Sequence, residues 1–207
     1  MVYWVFGYGS LIFKPPPHTV EQTDLEGSGY VKGVVRRFAQ SSIDHRGTPE
    51  HPGRVVTVVE AKVWHKLEGI ELRDNEILPD DYVWGIAYRI DPEKAEEVKA
   101  YMEYREKHGY TCHLVPVYTR SADGKQEIVA VESSTIWIGR PEDPAFVGYE
   151  PLDALAETVL VSEGPSGPNK DYLFKLAESV RHLYPHVKDD YLFNLERAVR
   201  ELDITQG

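Results

Sequence analysis

Apolar positions along the chain alternate or cluster in short runs up to about residue 140, then switch to helical spacing. Val2-Tyr3-Trp4-Val5-Phe6 is β-branched and aromatic and reads as a first strand. Pro15-Pro16-Pro17 imposes an extended segment without backbone donors. Residues 29–40 read as a strand ending in two arginines, Arg36 and Arg37, and residues 41–54 as a polar loop. Val55-Val56-Thr57-Val58-Val59 is almost wholly β-branched and is the clearest strand in the chain. The charged, irregular stretch 61–81 is expected to leave the core as an insertion or a long hairpin tip, with a strand returning over 82–90. Asp91-Pro92-Glu93 combines a capping Asp, a Pro in the first turn and an acid, and so starts a helix. That helix should run to about His108 and stop at Gly109. Residues 110–120 and 128–138 read as strands joined at Asp123-Gly124.

Beyond Pro151 apolar residues repeat at three and four in three sets. These are Leu152, Leu155, Ala156 and Val159, then Leu173, Leu176, Ala177 and Val180, then Leu192, Leu195, Val199 and Leu202. A second glycine-rich loop, Gly164-Pro165-Ser166-Gly167-Pro168-Asn169, separates the first two. Five or six strands, one inserted helix and a helical C-terminal third make a single α+β domain over residues 1–207, with no repeat and no internal boundary.

Charge narrows the partners. With 23 Lys and Arg against 34 Asp and Glu, the net charge is −11. Such a surface repels phosphate backbones and anionic lipid, so neither nucleic acid nor membrane is expected as a partner. No apolar run approaches the ~18 residues of a membrane-spanning helix. No basic region precedes the first apolar run, so a secretory signal is not expected. Cys112 is the one cysteine, which excludes an intramolecular disulfide and fits a reducing, cytoplasmic setting.

The first strand runs into Gly7-Tyr8-Gly9-Ser10, where glycine permits a sharp turn and a close approach of backbone to a ligand. Successive N–H groups in such a turn suit an anion such as a carboxylate, while the plainer alternative is an ordinary strand-to-loop turn. The motif lacks the third glycine of a dinucleotide fingerprint and the Gly-Lys-Ser/Thr of a phosphate loop. On a helical wheel Ala95, Val98, Met102, Arg105 and Glu106 share one face. Glu106 therefore lies by the apolar stripe in the last turn, where both burial and the helix dipole disfavour its charge. A carboxylate placed against two local rules is a candidate general base, the alternative being a structural pair with a nearby arginine. Glu97 falls on the opposite, solvated side. Arg36, Arg37 and Arg54 can bind a carboxylate bidentately or pair with surface acids. Cys112 reads as core rather than nucleophile, and the histidines never fall at metal-ligand spacing, so no metal is expected.

Phe6-Gly7-Tyr8-Gly9-Ser10-Leu11-Ile12 resembles the opening motif of the ChaC family of γ-glutamylcyclotransferases. The likeness continues through Arg36-Arg37-Phe38, Gln40-Ser41-Ser42, Asp44-His45-Arg46-Gly47, Pro52-Gly53-Arg54-Val55-Val56-Thr57, Tyr104-Arg105-Glu106-Lys107, Gly109-Tyr110, Trp137-Ile138-Gly139 and Gly164-Pro165-Ser166-Gly167. Ala39 and Phe13 stand where many members carry Trp, and His108 where many carry Gly, departures that bear on pocket shape and substrate range. The resemblance implies a small mixed β-barrel with surrounding helices and a helical C-terminal region. It implies cleavage of glutathione into 5-oxoproline and cysteinylglycine, without cofactor or metal. Glu106 matches the family's catalytic glutamate, and Gly7, Tyr8, Gly9, Ser10, Leu11 and Ile12 match its substrate loop. Tyr110 is placed to orient Glu106 or the substrate, and Ser42, Arg54 and the second glycine loop are further pocket candidates. The alternatives are the same chemistry on other γ-glutamyl peptides or amines, and a non-catalytic module that binds γ-glutamyl metabolites.

Overall fold

The computed structural model describes residues 2–20, 28–74, 76–106, 109–121 and 123–206. In chain order the elements are β1 (Trp4–Gly7), β2 (Ser28–Lys32), β3 (Val34–Ser42), β4 (Gly53–Glu60), α1 (Ala61–Leu67), β5 (Tyr82–Arg89), α2 (Ala95–Arg105), β6 (Tyr110–Arg120), β7 (Glu127–Gly139), α3 (Leu152–Val161), β8 (Glu163–Gly164), β9 (Gly167–Pro168), α4 (Asn169–Leu183) and α5 (Asp190–Gln206). They pack as two compact units, residues 1–35 with 58–140 and residues 36–57 with 141–207.

The first unit holds a closed barrel with strand order β1-β5-β2-β6-β7. Its pairs are antiparallel except where β1 meets β7 in parallel at Val5 and Thr135. Val5, Phe6, Ala87, Val117 and Ile136 are fully buried, and because successive strand side chains point to opposite faces, adjacent Val5 and Phe6 show that β1 is covered on both sides. The helix predicted after residue 91 docks on this barrel. Asp91 accepts from the amide of Glu93 at 2.9 Å, a 3₁₀ turn follows over Pro92–Lys94, and α2 then begins. Val98 and Met102 are wholly buried against Val5, Leu11, Tyr88, Ile90 and Trp137. Each such side chain contributes about 1.5–3 kcal/mol when taken out of water. The helix is shorter than its pattern suggests, ending at Arg105, with Glu106 as the capping residue. His108 lies outside the described residues, and Gly109, the expected stop, has φ +85°.

Two further expectations are corrected. The single strand over 29–40 is two strands, broken at Gly33, whose φ of +73° side chains rarely adopt. Its amide donates to the Asp81 carbonyl and its carbonyl accepts from Ala61, so β2 joins the barrel while β3 pairs with β4. The 61–81 stretch is no hairpin tip. It opens with α1, burying Trp64 and His65, and closes where His65 Nε2 meets the buried Asp81 carboxylate at 2.7 Å. His65 Nδ1 faces Glu68 at 3.2 Å.

The second unit carries the three helices the periodicity predicted. Leu155, Ala156, Val159, Leu173, Leu176, Ala177, Val180, Leu192, Leu195 and Val199 form their buried faces, whereas Leu152 is exposed. Asn169, fully buried at the start of α4, brackets Arg54 by accepting from its amide at 2.6 Å and donating to its carbonyl at 2.8 Å. No described helix is long and apolar enough to cross a membrane.

Candidate active site

Three pieces of the first unit build the site: the end of β1, the loop after it, and the end of α2. At Gly7 the limit is space. A Cβ there would stand 2.7 Å from Leu11 Cβ and 3.2 Å from the Tyr88 ring. The loop turns without positive φ at either glycine, a correction to the idea that glycine serves chain reversal here. Gly9 (φ −126°, ψ −126°) leads into a single 3₁₀ turn over Ser10–Ile12.

The hydrogen bonds of this loop are lopsided. The Gly9 carbonyl accepts from Ile12, and the Ser10 carbonyl from Phe13 and Lys14. The Tyr88 hydroxyl donates to the carbonyls of Leu11 at 2.8 Å and Ile12 at 3.3 Å. Every carbonyl from Gly9 to Ile12 is thus engaged, whereas the amides of Gly9, Ser10 and Leu11 have no acceptor among the described residues. The phenol of Tyr8 is turned inward and donates to the Trp137 carbonyl at 2.8 Å. Buried Leu11 joins the same apolar cluster as Val98 and Met102, so loop and helix rest on shared core.

Glu106 follows the last turn of α2, its amide donating to the Met102 carbonyl at 2.9 Å. Its side chain is 16 % exposed, and burial pushes the carboxyl pKa up, against a smaller opposing pull from Arg105. The unsatisfied carbonyls of a helix end act in the same direction as burial. Arg105 connects the two halves. Its Nε lies 3.1 Å from Glu106 Oε1, and its Nη2 donates to Ser10 Oγ at 2.7 Å. Both readings left open for Glu106 therefore meet in one residue, a buried carboxyl with a raised pKa and an arginine partner.

Tyr110 opens β6 opposite Gly139 and packs half-buried against the same cluster. Ser42 and Arg54 belong to the second unit. Ser42 is buried and accepts from the Arg46 amide at 3.0 Å. Arg54 makes a bidentate pair with Glu150, at 2.7 and 3.0 Å, and also donates to the carbonyls of Pro52 and Gly53. Arg36, almost wholly buried, pairs with Asp189 at 3.1 Å. Of the alternatives left open for Arg36 and Arg54, pairing with acids is the one seen. Glu97 is exposed between His18 and Lys94, as its wheel position suggests. Cys112 is exposed on β6 rather than in the core, and partial burial and Glu103 hold its thiol pKa up, the wrong direction for a nucleophile. Among the described residues no group of three or more His, Cys, Asp or Glu side chains could hold a metal.

The residues sequence reasoning missed are Arg105 and Tyr88. Arg105 sat on the correct wheel face beside Glu106, but its reach to a loop 95 residues earlier had no local signal. Tyr88 is one aromatic among several in a strand, and nothing marks its hydroxyl as the loop's anchor.

A closed mixed barrel with a glycine loop on its first strand and a buried carboxyl on its docked helix defines a γ-glutamylcyclotransferase-like fold. Two solved structures of a γ-glutamylcyclotransferase specific to glutathione from yeast superpose with TM-scores of 0.78. One is 35 % identical, covering 98 % of this chain and 99 % of that one, and the other is 33 % identical, covering 97 % and 96 %. The chain belongs to the ChaC-like protein family, whose model matches residues 3–202. A glutathione-specific γ-glutamylcyclotransferase of Schizosaccharomyces pombe is 41 % identical over 199 residues, covering 96 % of this chain and 92 % of that protein.

Proposed function

We propose that this protein is a γ-glutamylcyclotransferase that degrades glutathione to 5-oxoproline and cysteinylglycine, with Glu106 as its general acid and base. The substrate's α-amine attacks its own γ-carbonyl carbon, a new C–N bond closes the five-membered lactam, and the amide bond to cysteine breaks. Glu106 takes the proton from the attacking nitrogen and returns it to the leaving amine, so no water is consumed. Because ring closure is intramolecular, holding the folded conformer supplies several of the ~7–11 kcal/mol that good orientation can remove from a barrier.

The observation that carries the reading is the Glu106 carboxyl itself. Burial raises its pKa toward the range where a base can both accept and return a proton near neutral pH. The Gly9, Ser10 and Leu11 amides are assigned to the glutamyl α-carboxylate or the developing oxyanion. Gly7 and Ile12 shape the loop, Tyr8 fixes it to the barrel, and Tyr110 lines the base. Ser42 and Arg54 are assigned to holding the 42–54 segment in shape, since Arg54 is already bound by Glu150. The two compact units are taken as one functional domain, supported by a family match that runs unbroken through both. A reducing, cytoplasmic location fits the single cysteine, and the net charge of −11 argues against nucleic acid or anionic membrane as partners.

The test is chromatographic detection of 5-oxoproline from glutathione by the wild-type protein and by Glu106→Gln. Wild type should release 5-oxoproline and cysteinylglycine in equal amounts. Glu106→Gln should lose at least ~10²-fold in kcat while still binding glutathione. Wild-type turnover in that variant removes Glu106 from the mechanism.

A further inference from the structure

The charged partner of Glu106 and the partner of Ser10 are the same side chain. We propose that Arg105 is a positioning residue of the active site, a single guanidinium that ties the substrate loop to the catalytic carboxylate and sets both. The inference rests on the function proposed above and adds a residue to it.

The geometry gives the guanidinium two tasks on two of its nitrogens. Nη2 donates to Ser10 Oγ at 2.7 Å, and Nε faces Glu106 Oε1 at 3.1 Å. The Ser10 contact is a hydrogen bond and the Glu106 contact a charge contact, and the planar guanidinium reaches both at once. The ammonium of a lysine is a point charge on a flexible stem. With its oxygen accepting from Arg105, Ser10 keeps its own O–H proton to donate, so the hydroxyl is turned into a directed donor of the loop. At the other end, the arginine faces one carboxylate oxygen and limits rotation of the group. It also opposes burial, and is the charged group acting on Glu106 from the described residues. Its neighbours in sequence, Lys107 and His108, lie outside those residues. Arg105 is about one-third exposed, which weakens the charge effect through solvent screening without removing the geometric one.

The sign follows. Without Arg105, a largely buried carboxylate loses its counter-charge and holds its proton more tightly. Less of it is then in the basic form near neutral pH, and activity recovers only on moving to higher pH. Loss of the Ser10 link acts differently, by loosening the loop and weakening substrate binding.

The experiment is the pH dependence of kcat and KM for glutathione in wild type, Arg105→Gln, Arg105→Lys and Ser10→Ala, with Glu106→Gln as the inactive reference and circular dichroism to confirm folding. In Arg105→Gln the acidic limb of kcat/KM should move to higher pH, with a loss on the order of tenfold near neutrality. Arg105→Lys should restore the position of that limb while leaving KM raised, because one charge returns but the fork does not. Ser10→Ala should raise KM with the limb unmoved. Parallel pH profiles for wild type and Arg105→Gln, with Glu106→Gln inactive, overturn the role of Arg105 and leave the function standing. A wild-type protein that makes no 5-oxoproline overturns both. Should Arg105→Gln fail to fold, Arg105→Lys and Ser10→Ala decide, and wild-type KM values in both reject the proposal.

Discussion

Replacing Gly7 with alanine asks directly whether the substrate loop depends on close packing against the barrel. The added methyl would sit 2.7 Å from Leu11 Cβ, about 0.8 Å short of the ~3.5 Å at which carbon atoms ordinarily begin to attract. It would also stand 3.2 Å from Tyr88 Cε2 and 3.4 Å from the Leu11 carbonyl carbon, so retreat in one direction is blocked. Tyr88 is pinned by its own bonds to the loop carbonyls, and the loop must move outward by most of an ångström. Overpacking of this kind costs about 1–3 kcal/mol, and for a chain of 207 residues each kcal/mol lowers Tm by roughly 2–4 °C. The expected fall is about 2–12 °C in a calorimetric scan, or about 4–8 °C at a mid-range cost of ~2 kcal/mol. Displacing substrate-positioning backbone by ~1 Å costs on the order of 10²-fold in kcat/KM, larger than the stability loss alone explains. Leu11→Gly supplies the control. If Leu11 Cβ is the obstacle, adding Gly7→Ala to Leu11→Gly should lower Tm less than adding it to wild type. A Gly7→Ala protein with wild-type kcat/KM, or strict additivity with Leu11→Gly, refutes the packing argument.

Two further outcomes follow from the same structure. Burial raises the Glu106 pKa above its usual 4.5, so the native state binds the extra proton, and stability falls as pH rises through the window from 4.5 up to the raised value. Glu106→Gln should therefore be more stable than wild type at neutral pH, with the difference vanishing below 4.5, as read by urea unfolding across pH. Met102→Ala empties a fully buried position beneath α2 and should cost about 2–5 kcal/mol in urea unfolding. It should also lower kcat in the surviving folded protein, since this helix carries Glu106.

The strongest local signals were the ones the fold obeyed. Residues 55–59 are a strand because β-branched side chains suit little else. Asp91-Pro92 starts a helix because its cap bond is formed within two residues, and the C-terminal periodicity of three and four became α3, α4 and α5. The elements misjudged are those decided by distant partners. Gly33 breaks an apparently continuous strand because its amide is claimed by Asp81. The short α1 has too few turns to show a period, and the buried contact of His65 with Asp81 that closes its segment spans residues no local window joins. Within the site, Glu106 was legible because a carboxylate beside an apolar stripe contradicts its surroundings. Arg105 was not, because a surface arginine on a helix contradicts nothing until the loop it reaches is in place. Cys112 was misplaced because membership of a strand does not say which face a residue takes, and in the barrel that face is set by the register with β7.

The lopsided bonding of the glycine loop bears on how the site can drift or be redesigned. Its carbonyls are capped by Tyr88 and by the turn itself, leaving a positive edge written in main-chain amides that no substitution other than proline can delete. Sequence change at Leu11 or Ile12 can loosen or tilt that edge but cannot reverse its sign. The helix half is the opposite case, since one codon removes Glu106 entirely. Loss of catalysis should thus be mutationally cheap and loss of anion affinity expensive, so an inactive descendant of this protein would be expected to persist first as a binder.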